Sequence, residues 1–141
     1  MSFPLSLRLP IPLAAQLPPQ RIGTGFKTLS TGNWESALKE WSRDGIWVDV
    51  DGKFKAKLEG LVNAPRSIGQ WESVNLPYLT GTWQRHWMMA GFDQGAVFFL
   101  FDYVLHKGQW RLVALQATQD PGEILPHLDL MPGVLASREH P

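Results

Sequence analysis

His86 and Asp102 are the residues of this chain whose types and spacing best suit proton chemistry. A carboxylate beside an imidazole orients it and raises its pKa, and such a pair can act in general acid or base catalysis. The two become neighbours only if the strands carrying them pair in one particular register. Trp71 and Tyr78, in an extended aromatic stretch upstream, are the candidate ligand-binding residues that would hold a small molecule against the pair. The alternative is that His86 and Asp102 satisfy each other in a half-buried sheet and carry no reaction.

Other chemistries find less support. The chain has no cysteine, which excludes disulfides, thiolate catalysis and Cys-based zinc sites. His106 lies four residues beyond Asp102, about 13 Å along a strand, too far to share one metal with His86. His127 and His140 fall in the C-terminal tail, and the acidic pairs Asp49 with Asp51 and Asp120 with Glu123 read as turn residues. No metal site and no cofactor are therefore expected, and there is no nucleophile elbow, phosphate loop or dinucleotide fingerprint. Thirteen basic residues balance thirteen acidic ones, which argues against nucleic acid or an anionic membrane as partner and favours self-association. The compartment stays open, with the cytoplasm favoured.

The elements that must position the pair lie between Gly81 and Gln119, a stretch that reads as three long strands joined by two short turns. Asp93-Gln94-Gly95 reads as a three-residue loop with Gly95 in a left-handed conformation, so that Phe92 faces Ala96, His86 faces Asp102 and Arg85 faces Tyr103. Lys107-Gly108 is a two-residue turn that pairs His106 with Gln109, Tyr103 with Leu112 and Asp102 with Val113. Directly opposed residues have Cβ atoms about 5 Å apart, within hydrogen-bonding reach for an imidazole and a carboxylate. A slip of one residue in either hairpin would exchange the faces.

Upstream, Pro4, Pro10, Pro12, Pro18 and Pro19 mark residues 1–19 as an extended, helix-free arm that is neither a membrane span nor a secretory signal. Ile22, Phe26 and Leu29 then recur at helical spacing, with Gly23 and Gly25 weakening the pattern. Asn33 is an N-cap for a second helix carrying Trp34, Ala37, Leu38 and Trp41. Ile46 to Val50 predicts a short strand, and a third helix spans 54–63. A further strand over 70–80 is bent or placed at an edge by Pro77. The domain thus covers residues 20–119, followed by a tail over 120–141.

The order is helix, helix, short strand, helix, then four long antiparallel strands, an α+β arrangement. With Asn33-Trp34-Glu35-Ser36-Ala37-Leu38 in the second helix, the helix at 54–63 and the closing hairpins, it resembles the nuclear transport factor 2-like (NTF2-like) superfamily. The resemblance implies a cone in which helices pack on a curved sheet around a pocket, and a habit of dimerising through the outer sheet face. The face with Trp83, Arg85, Trp87, Tyr103 and Trp110 carries the aromatics and arginine that interfaces favour and is assigned to a homodimer. The face with His86 and Asp102 then lines the pocket; the reverse assignment would put Arg85, Tyr103 and Gln116 inside. Three functions follow: a small-ligand-binding domain without an assignable reaction; an isomerase, cyclase or dehydratase-like enzyme using His86 and Asp102; or a dimeric interaction module.

Overall fold

Helix α1 (Pro18–Leu29) starts at the paired prolines rather than after them. Proline suits the first helical positions because its missing N–H would find no partner there. The computed structural model describes residues 17–126. The rest of the expected N-terminal arm and the tail beyond Pro126, with His127 and His140, lie outside the described residues.

Helix α2 (Trp34–Ser42) is capped as its sequence predicts, Asn33 Oδ1 accepting from Ser36 N at 3.0 Å. Helices α1 and α2 form a hairpin whose tightest point is Gly25. A Cβ there would stand 2.0 Å from the Trp41 indole nitrogen, which instead donates to Ile22 O at 3.0 Å. The glycine that weakens the helical pattern is required by the neighbouring helix. Trp41 also meets Phe26 edge to face at 5.0 Å, and the pair packs against Phe99 and Phe101.

Residues 46–50 do not form the expected strand. Ile46 N and Trp47 N both donate to one carbonyl, Leu112 O, and a short 3-10 turn follows at Val50–Gly52. Asp49 then caps helix α3 (Lys53–Leu61), its two carboxylate oxygens accepting from Phe54 N at 2.7 Å and Lys55 N at 3.0 Å.

A curved, unclosed antiparallel sheet of five strands completes the α+β fold. The expected strand over 70–80 is split into β1 (Trp71–Ser73) and β2 (Tyr78–Leu79), because Pro77 offers no N–H to a ladder. Both pair with β3 (Trp83–Phe92), which continues into β4 (Gly95–His106) and β5 (Gln109–Thr118). The sheet therefore holds three long strands and two short ones. The Lys107-Gly108 turn forms as expected, with φ of 53° and 76°, and pairs His106 with Gln109.

The other hairpin differs by one residue. Gly95 joins the ladder opposite Phe92, leaving only Asp93-Gln94 in the turn, so Arg85 faces Asp102 and His86 faces Phe101. A second departure is a bulge at Val113, which moves the partner of Asp102 to Ala114. Together they redistribute the faces. The helix side of the sheet receives His86, Met88 and Ala90 with Phe99, Phe101, Tyr103, Trp110 and Leu112, and the outer side receives Trp83, Arg85 and Trp87 with Asp102. This register opposes a cation to an anion on the outer side. Among the described residues no helix is long and apolar enough to cross a membrane.

Candidate functional site

The two faces of the sheet separate the four residues predicted to form a site. Trp71 lies opposite Ala90 on the helix side, its ring stacked on Phe26 at 5.8 Å. His86 is on the same side. Asp102 and Tyr78 are on the outer side, each opposite Arg85.

Asp102 is consumed by Arg85. The guanidinium donates from Nε to Oδ1 and from Nη2 to Oδ2, both at 2.7 Å, a bidentate charge-assisted pair. The acid side chain is 7% exposed and the arginine 35%. The hydrogen bond to Asp102 raises the Arg85 pKa above its ordinary value, partly opposed by burial. Arg85 also lies over the Trp83 ring at 5.4 Å, and Trp83 meets Tyr78 edge to face at 4.8 Å. Trp87, beside them, is buried under the chain that follows β5, its indole N–H donating to Ile124 O at 2.9 Å.

His86 has a different partner. Its Nε2 pairs with Gln84 Oε1 at 2.8 Å. Burial lowers the imidazole pKa below its ordinary value, and the Asp102 charge offsets this only in part. The imidazole is oriented by an amide, and the carboxylate expected to bond to it is bonded to Arg85 instead.

The expected dimer face also changes. Tyr103 and Trp110 are buried on the helix side, Tyr103 Oη donating to Trp41 O at 2.9 Å. The one-residue difference in the first hairpin is the cause: it turns β3 over relative to β4, so Trp83, Arg85 and Trp87 no longer share a face with Tyr103. Burial pushes the Tyr103 hydroxyl pKa well above its ordinary value.

Sequence reasoning missed Arg21, which is 1% exposed. It donates to Trp110 O and Arg43 O, each at 2.6 Å, and to Glu40 O at 3.5 Å, while its Nε has no partner among the described residues. Its guanidinium also lies 5.6 Å from the centre of the Tyr103 ring. The legible signal was its place four residues before Gly25 and eight before Leu29, on the buried stripe of α1.

Surface depressions lie elsewhere. One of about 360 Å³ runs between α3 and the end of β5, and one of about 390 Å³ between α2 and the 44–49 segment. His86, Asp102, Trp71 and Tyr78 line neither of them. No group of three or more His, Asp or Glu residues placed to hold a metal ion occurs among the described residues. Comparison with family models, with curated proteins and with solved structures finds no match for this chain.

Proposed function

We propose that this chain is a non-catalytic interaction module of NTF2-like architecture that pairs with a second copy of itself along the β2 edge of its sheet. The observation that carries this reading is the apolar edge formed by Leu76, Tyr78 and Leu79, which are 85%, 49% and 56% exposed and adjoin Trp83. Large apolar side chains gathered at one edge mark a surface for association. Trp83 and Arg85 add the aromatic and arginine character typical of interface cores, and zero net charge leaves little repulsion between copies. The polar groups that a catalytic reading would use are already paired with other residues, His86 with Gln84 and Asp102 with Arg85.

Sedimentation velocity over a range of protein concentrations tests the reading. The native chain sediments as a dimer and Leu79→Asp, a change at an exposed position, sediments as a monomer. A native chain that stays monomeric throughout, or a variant that dimerises equally well, would overturn it.

A further inference from the structure

Leu79 holds backbone groups that β3 does not use. In an antiparallel ladder, successive residues alternate between bonding the neighbouring strand and turning their N–H and C=O away from it. Thr80 N donates to Trp83 O at 2.8 Å, so in the same register Tyr78 bonds Arg85, and Leu79, between them, faces its backbone groups outward. The alternation continues along β3, where Trp87 O accepts from Val74 N and Gly91 N donates to Gln70 O on the same side. No other partner of the Leu79 N–H or C=O occurs among the described residues.

This outward-facing stretch is short and closed at both ends. Two residues earlier, Pro77 has no N–H to offer. Two residues later, Gly81 belongs to the turn into β3, which the Thr80 hydroxyl ties down by accepting from Thr82 N at 3.2 Å and Trp83 N at 2.9 Å. A long foreign strand laid here would find one complete donor and acceptor pair, at Leu79. A second copy finds the same pair and also meets Leu76, Tyr78 and Leu79 with its own exposed apolar set.

The opposite edge of the sheet is covered. Strand β5 has β4 on one side only, and on the other Trp110 O accepts from Arg21 Nη1 while Leu112 O accepts from Ile46 N and Trp47 N. Further along it, Leu115, Ala117 and Thr118 are buried. Strand β2 of one copy therefore meets no open ladder on β5 of the next, the head-to-tail contact that would generate open chains.

We infer that Leu79 lies on a two-fold axis, its N–H donating to the C=O of the partner's Leu79 and its C=O accepting in return, so that two sheets join into one and association closes at two copies. The contact rests on the self-association proposed above and adds the residue that sets its register and the reason it stops. A self-complementary contact uses one patch twice, so a residue on the axis makes each of its bonds twice.

The test replaces the Leu79 amide by an ester, through incorporation of the α-hydroxy acid analogue of leucine at position 79. The side chain is kept and the N–H is removed. Two hydrogen bonds are lost per dimer, and the dimer dissociation constant from sedimentation velocity rises at least about tenfold over the native value. Amide exchange at Leu79 in the native chain, followed by NMR, slows at least about tenfold from dilute samples to concentrated ones as the amide becomes bonded. No species larger than the dimer forms at the highest concentration. A native dimer whose ester variant associates equally well, whose Leu79 exchange ignores concentration, or which grows into larger species would overturn the two-fold contact and leave self-association standing. A native chain that stays monomeric throughout would overturn both.

Discussion

Arg21 and Arg85 stand on opposite sides of one sheet and stabilise their charges by different means. Arg85, on the outer side and partly exposed, is matched by a carboxylate in bidentate geometry. Arg21, on the helix side and closed to solvent, has no acid bonded to it among the described residues. It is held by carbonyl oxygens, two of them, Glu40 O and Arg43 O, at the C-terminal end of α2. The last carbonyls of a helix lack intrahelical partners and carry its partial negative charge, so a buried cation placed there satisfies them while being stabilised itself. Under the helices, the buried Arg21 cation sits where carbonyl oxygens converge. His86, on that side with one amide partner, has its pKa lowered instead.

The largest effect is expected from Arg21→Met. It fills similar space but leaves three carbonyls without their donor, and we expect a loss of about 3 kcal/mol, read as a lower urea midpoint. Arg85→Ala strands a nearly buried Asp102. The partial exposure of the arginine screens the pair, so the expected loss is about 2 kcal/mol. Asp102→Ala in the same background should restore part of it, because no unpaired charge remains; an Arg85→Ala loss that Asp102→Ala leaves intact would show that the pair is not coupled. The smallest effect belongs to His86. Its folded pKa lies below its unfolded value, so the unfolded chain takes up the proton first as pH falls. Stability is fully present above the unfolded pKa of about 6.5 and is lost as pH drops from there toward the folded pKa. Urea midpoints at about pH 8 and about pH 5 should differ more for the native chain than for His86→Gln, and equal differences would remove His86 as the cause.

How much of this was legible in the sequence varied with the kind of signal. The Lys107-Gly108 turn was readable because a two-residue loop needing positive φ at both positions leaves one register. Asp93-Gln94-Gly95 was not, since Gly95 is at home in either the loop or the ladder. The choice is made at a distance, by Arg85 meeting Asp102. The Val113 bulge carries no local mark. Helices α1 to α3 were found from their apolar spacing, whereas the reason for Gly25 lies in Trp41 of another helix. Of the candidate site, His86 and Asp102 were recognised as unusual inward residues of the strands, but a one-residue difference in a single turn placed them on opposite faces with different partners.

The bond from Arg21 to Trp110 O joins residues 89 positions apart, whereas β3, β4 and β5 are consecutive and joined by two-residue turns. Contacts within the hairpins need little loop closure and are suited to form before the folding barrier; the closure tying α1 to β5 must await most of the chain. The clasp then acts on the lifetime of the folded molecule more than on the speed of reaching it. Its removal would be felt as faster unfolding, with the folding rate nearly unchanged.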